Sequence, residues 1–263
     1  MTTTDKMLAR KDGRVGYVIF NNPERLNAVS MDMWEATRTI LDGYAGDDDV
    51  RVVVITGAGG KAFVSGADIS KFDSERATQE GVAAYNKMTE LAYAGIHDFP
   101  KPTIAMINGY CIGGGLGLAV SCDMRICSDK SRFAVPAAKL GLGYDHPGLR
   151  RLIDVIGASF AKEIFFTARQ FDAEEARVMG LVNRVLPEEK LEAYVKDYAD
   201  AIAANAPLTI SSVKLIVGEF LKDESSRDLA RAAESVKRCF DSSDYVEGRT
   251  AFMEKRKPVF TGR

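Results

Sequence analysis

The stretch NGYCIGGGLGLAVSCD, Asn108 to Asp123, places five glycines, Gly109, Gly113, Gly114, Gly115 and Gly117, within nine residues. Each glycine in a helix or strand interior costs roughly 0.5–1 kcal/mol, so this density needs a reason: a positive φ, a close backbone approach, or a ligand against bare main chain. The surrounding run from Pro102 to Cys122 carries no charge and is long enough to span a bilayer. It begins, however, as the β-rich segment TIAMIN and then breaks into the glycines. A strand, a turn and a buried helix fit it better than a membrane span.

The rest of the chain supplies a frame for that unit. GYVIF (Gly16 to Phe20) and VRVVVITG (Val50 to Gly57) are β-branched runs bounded by turn residues and read as buried strands. Between them Ser30 is placed to cap a helix whose Met33, Trp34, Thr37, Ile40, Leu41 and Tyr44 follow a helical period. The order repeats with a helix around Glu80 to Ile96, a strand from Thr103 to Ile107, a helix entered from the glycine cluster, and MRICS and RFAV as further strands. Such alternation predicts an α/β architecture with sheet in the core. From Pro147 onward the pattern turns helical, interrupted mainly by LVNRVL (Leu181 to Leu186). Asp172 and Glu175 form a capping box, and Pro187 and Pro207 each open a helix. The first of these carries Leu191, Tyr194, Val195, Tyr198 and Ile202 on one face, which reads as core or subunit packing.

Bulk properties narrow the function. The 263 residues suffice for a sizeable core. The net charge of −2 gives no field to attract nucleic acid or an acidic membrane. The N-terminal MTTTDKMLARKDGRVGYVIF has no long apolar core and carries Asp5 and Asp12, so it reads neither as a secretory signal nor as a transit peptide, and the expected location is the cytoplasm. Cys111, Cys122, Cys127 and Cys239 form no C-x-x-C pair, and with two histidines no metal site is expected.

Two turns are placed for chemistry: TGAGGKAFVSGADIS (Thr56 to Ser70) and the glycine cluster. Each sets small residues after a strand and ahead of an expected helix, where uncommitted backbone N–H groups point outward. No G-x-G-x-x-G frame fits, because Leu118 and Val120 stand where glycine is required. The P-loop frame also fails, since Ala62 follows Gly60-Lys61. A nucleotide site is therefore disfavoured. Two N–H groups from the two turns could instead converge on a carbonyl oxygen that gains negative charge, as an oxyanion hole. By spacing alone, tight packing of helix against sheet explains the glycines equally well.

The two turns together resemble the crotonase, or enoyl-CoA hydratase/isomerase, superfamily. The matching pieces are NNPERLNAVS (Asn21 to Ser30), KAFVSGADIS (Lys61 to Ser70), KPTIAMINGYCIGGGLGLAVSCDMRICS (Lys101 to Ser128), TARQFDAEEARVMGLVNRVLP (Thr167 to Pro187) and AFMEKRKPVF (Ala251 to Phe260). The resemblance implies a crotonase-like α/β spiral of β-β-α units over residues 1–200 and a C-terminal helical trimerisation region over 201–263, in a homotrimer or homohexamer. It implies acyl-CoA thioester substrates, with coenzyme A part of the substrate and no separate cofactor. It also implies two backbone donors for the thioester enolate, which map onto Ala67 and Gly114. Arg25, Leu26, Ala28, Ser65, Gly66, Ala67, Asp68, Ile69 and Gly114 map onto the CoA passage, and Phe252 and Lys255 onto residues that reach a neighbouring subunit's CoA.

Typical hydratases of this superfamily carry one glutamate two residues after the glycine triplet and another just after the proline in the segment matching RFAVPAAKLGLG, so that two carboxylates flank the added water. Gly117 and Ala137 stand at those positions. Some superfamily isomerases, and the 4-chlorobenzoyl-CoA dehalogenase, place a functional aspartate at the position of Asp145. That dehalogenase also resembles this chain in having glycine at 117, whereas Ala137 replaces its tryptophan. Asp145 equally suits the N-cap of the helix that continues through PGLRRLIDVIG. Hydration is the nominal reaction; the alternatives are isomerisation, hydrolysis or dehalogenation through Asp145, and a non-catalytic acyl-CoA-binding scaffold. Tyr144 and His146 are neighbouring proton donors or acceptors, and Leu140, Leu142 and Phe72 are candidate pocket linings.

Overall fold

The computed structural model describes residues 4–71 and 77–263. Two sheets divide the strands between them. The larger orders β1 (Met7–Asp12), β2 (Val15–Phe20), β3 (Val52–Gly57), β5 (Thr103–Ile107), β7 (Met124–Ser128) and β10 (Arg184–Leu186). Only its β1–β2 pairing is antiparallel. The smaller orders β4 (Ala62–Val64), β6 (Tyr110–Ile112), β8 (Arg132–Ala134) and β9 (Phe171–Asp172), antiparallel only at β8–β9.

The chain steps three times from the large sheet to the small one and on into a helix. The successive units are β3, β4 and α2 (Gln79–His97); β5, β6 and α3 (Gly114–Ser121); and β7, β8 and α4 (Ala137–Leu140). This is the β-β-α spiral expected from the sequence. Parallel strands between two helical layers are apolar on both faces, and their side chains alternate between those layers with a period of two. Val53, Ile55, Ala105 and Ile107 join a core with α1 (Met31–Ala45), α2 and α3. Val52, Val54 and Ile104 face the other way, onto Leu191, Val195, Ala199 and Ala203 of α7 (Glu188–Ala203). The stripe that includes Tyr194, Tyr198 and Ile202 is thus core packing.

Several local expectations change in the structure. The Thr56–Ser70 turn contains a strand, β4, and a 3-10 turn over Ile69–Lys71, and the helix expected after it runs over Gln79–His97. Ser30 occupies the N-cap of α1, but its hydroxyl bonds the Asp32 carboxylate and no helix amide. The Asp172–Glu175 capping box forms, with reciprocal bonds of 2.9 Å, at the start of α6 (Ala173–Val178). Helix α7 runs through Ala203, so a boundary at residue 200 falls in its last turn. Beyond it lie α8 (Pro207–Phe220), α9 (Leu229–Asp241) and α10 (Ser243–Met253). Among the described residues no single helix is long and apolar enough to cross a membrane.

Candidate active site

The site begins with the direction of two peptide planes. Gly113 sits at φ 55°, ψ −114°, a conformation that side chains rarely tolerate. Its amide donates to the Ala134 carbonyl at 2.8 Å, and its carbonyl accepts from Leu116 (3.0 Å) and Gly117 (3.2 Å). A trans peptide holds C=O and N–H on opposite sides. The Gly114 N–H, in the same plane as the Gly113 carbonyl, therefore points out of the N-terminus of α3, where helix amides have no internal acceptor.

The partner turn repeats this logic. Val29 donates to the Gly66 carbonyl at 2.8 Å and accepts from the Asp68 amide at 2.9 Å, forming an isolated bridge opposite Ala67. The Ala67 N–H consequently points away from Val29. A Cβ placed on Gly66 would lie 3.8 Å from the Gly114 nitrogen, and one on Gly114 would lie 3.8 Å from the Gly66 Cα. Among the described residues, no protein acceptor takes either the Ala67 or the Gly114 N–H.

The five glycines serve different ends. A Cβ on Gly109 would stand 2.0 Å from the Lys61 carbonyl oxygen, and one on Gly115 would stand 2.0 Å from that of Val64. These two permit the close packing of the unit onto β4, as the packing reading requires. Gly113 makes the turn. Gly114 and Gly117 face a side chain that sequence reasoning missed, Tyr93 of α2: Cβ atoms there would lie 3.2 Å and 3.0 Å from its hydroxyl oxygen. The Tyr93 hydroxyl donates to the Gly114 carbonyl at 2.8 Å. Burial pushes its phenol well above the usual range, so it stays neutral.

The residues mapped to the CoA passage assemble around the Ala67 turn. Arg25 donates to the Ser70 hydroxyl at 2.8 Å and lies 3.6 Å from the buried Asp68 carboxylate, which also accepts from the Ser70 amide and hydroxyl. The Ser65 amide donates to the Leu26 carbonyl, and its hydroxyl to the Arg25 carbonyl. Buried Asn27, at φ 56°, ties this loop together: its side-chain amide donates to Ala58 and Ala62, and its carbonyl accepts from Asn22. Ala28 is buried, whereas Leu26 and Ile69 are exposed. Phe252 (83% exposed) and Lys255 stand at the far end of α10, turned to solvent within the chain.

No carboxylate occupies the two hydratase positions. Gly117 is backed by the Tyr93 ring, and Ala137 is the buried first residue of α4. Asp145 is exposed and caps α5 (His146–Thr167), accepting from the Gly148 amide at 3.5 Å. The preceding Tyr144 packs edge-on against Phe165, with ring centroids 4.8 Å apart. Asp145 thus serves as a helix cap directly after Tyr144. Leu140 and Leu142 are exposed, and Phe72 lies outside the described residues. No group of three or more His, Cys, Asp or Glu among the described residues is arranged to hold a metal ion.

Known proteins resemble this chain in sequence and in fold. The sequence pattern of the family described as enoyl-CoA hydratase/isomerase matches residues 10–263. A short-chain-enoyl-CoA hydratase of Clostridium acetobutylicum is 35% identical over 253 residues, covering 96% of each chain. A crotonyl-CoA hydratase of Syntrophomonas wolfei is 31% identical, covering 98% of this chain and 99% of its own. The crystal structure of an enoyl-CoA hydratase/carnithine racemase from Magnetospirillum magneticum superposes with a TM-score of 0.94 at 36% identity, over 99% of this chain and 97% of that one.

Proposed function

Because the chain belongs to the enoyl-CoA hydratase/isomerase family, we propose that it is an acyl-CoA enzyme that stabilises a thioester enolate between the Ala67 and Gly114 amides. The observation that carries this reading is the pair of unengaged N–H groups on adjoining turns. Donors held in place before the reaction lower the barrier most where charge develops, and one such donor is worth about 10²–10³ in kcat. The N-terminal end of α3 adds a favourable dipole at the same point. Coenzyme A enters as part of the substrate, along Arg25, Leu26, Ala28, Ser65, Gly66, Asp68 and Ile69.

Hydration of a 2,3-unsaturated acyl-CoA is the nominal reaction, by analogy with the named hydratases. The lack of a carboxylate at 117 and 137 favours a second reading, in which Asp145 alone moves the proton in isomerisation or hydrolysis. The working form is a homotrimer or a hexamer of two trimers, located in the cytoplasm. Its support is α9, which buries none of its residues within the chain yet exposes Leu229, Val236 and Phe240. Phe252 and Lys255 are then free to reach a neighbour's CoA.

The test offers a panel of enoyl- and acyl-CoA thioesters to the wild type and to Asp145→Asn. Turnover by the wild type, with a large loss in the variant at nearly unchanged thioester affinity, supports enzymatic action through Asp145. Wild-type binding without conversion of any member of the panel would favour a scaffold.

A further inference from the structure

Three consecutive glycines are the least pre-organised backbone a chain can offer, whereas an oxyanion hole works through donors that do not reorganise. The bonds of Gly113 hold one peptide plane of this turn, and the plane that follows Gly114 needs a restraint of its own. Tyr93 is built for this. It is 9% exposed, its ring stands edge-on to Trp34 with centroids 5.3 Å apart, and its hydroxyl reaches the Gly114 carbonyl. Trp34 is itself fixed, its indole N–H donating to the Tyr85 hydroxyl at 3.2 Å. Arg151, paired with Glu90, places its guanidinium 6.0 Å from the Tyr93 ring centroid. The enclosure leaves the phenol little rotameric freedom.

Building on the function proposed above, we infer that Tyr93 is a positioning residue of the oxyanion hole. Its hydroxyl pins the Gly114 carbonyl, one peptide plane beyond the Gly114 N–H, and so restrains the torsions that join that plane to the one the Gly113 carbonyl holds, while Gly117 lacks a side chain in order to admit the phenol. A carboxylate at 117 and a tyrosine at 93 compete for one volume.

Tyr93→Phe retains the ring against Trp34 and Gly117 and deletes only the hydroxyl. The probe is crotonyl-CoA labelled with ¹³C at the thioester carbonyl, whose infrared stretch falls when the oxygen is polarised. The wild type is expected to lower that stretch on binding. The variant should bind with a Kd within about twofold of the wild type and lose at least half of the shift. On a turned-over thioester its kcat should fall about three- to tenfold at nearly unchanged KM, the worth of one neutral hydrogen bond. A wild-type shift in Tyr93→Phe overturns the inference and leaves the oxyanion-hole reading standing; no shift in the wild type overturns that reading itself. If the phenylalanine variant does not fold, Gly117→Ala serves, because its methyl group must displace a ring 3.0 Å away, and an undiminished shift there refutes the tether.

Discussion

Gly115→Ala tests whether part of the glycine cluster exists to let two buried main chains meet. The added methyl would stand 2.0 Å from the Val64 carbonyl oxygen and 2.9 Å from its carbonyl carbon. Reaching an ordinary carbon–oxygen contact requires a movement of about 1.3 Å. Neither side yields easily, since Ala62, Phe63 and Val64 are fully buried and α3 is packed against them. Overpacking costs about 1–3 kcal/mol, and occasionally more, when side chains can adjust. Backbone on both sides puts this case at about 3 kcal/mol or above, a large share of the roughly 5–15 kcal/mol that a protein has. At about 2–4 °C per kcal/mol for a chain of this size, the melting temperature should fall by about 6–12 °C. Differential scanning calorimetry at one fixed protein concentration measures this, because assembly makes melting concentration-dependent. Gly95→Ala is the control. Its Cβ meets nothing within 4 Å on the exposed side of α2, and it should gain up to about 1 kcal/mol of helix propensity. A Gly115→Ala protein melting within about 2 °C of the wild type would refute the close-approach argument.

Two further outcomes follow from perturbed ionisation. Burial pushes the Cys122 and Cys127 thiols up to about 12 and raises Cys111 well above its usual value. Since the thiolate is the reactive form, iodoacetamide at pH 8 should leave Cys111, Cys122 and Cys127 of native protein unlabelled; adducts at any of the three in folded protein would contradict their burial. Arg256, together with the Val259 amide, holds the Glu247 carboxyl down at about 2. A depressed carboxylate contributes stability above its unfolded value, about 4.3, and loses it as pH falls through the folded value. Hydrogen exchange of the C-terminal tail should therefore show wild type better protected than Glu247→Gln at pH 7, with the difference shrinking as pH falls from 4 toward 2. An advantage that grows on acidification would contradict the pairing.

How much of this was legible depends on whether a residue's role is local. Strands β3 and β5 are buried on both faces, so they read as continuous apolar runs and were located from the sequence. β1 buries only Met7 of its six residues and carries no such pattern. β4 and β6 are three residues each and pair with one another across almost fifty positions, Ala62 opposite Tyr110, so neither shows a local signature. The two glycine-bearing turns were visible through their composition and motifs. Tyr93 was not, because on α2 it shares a face with Tyr85, Ala92 and Ile96 and looks like another core side chain. The one available signal was Gly117 inside an apolar helix, which implies a bulky neighbour without saying which. Asp145 shows the converse limit. The same Asp-His-Pro start suits a helix cap and a pocket-edge carboxylate, and the cap is visible in the hydrogen bonds.

A crystal structure with a non-reactive acyl-CoA analogue measures the central claim directly. The thioester oxygen should lie about 2.7–3.1 Å from both the Ala67 and the Gly114 nitrogen. An oxygen bonded to neither amide, or those amides turned apart or satisfied by other protein groups in the complex, would contradict it.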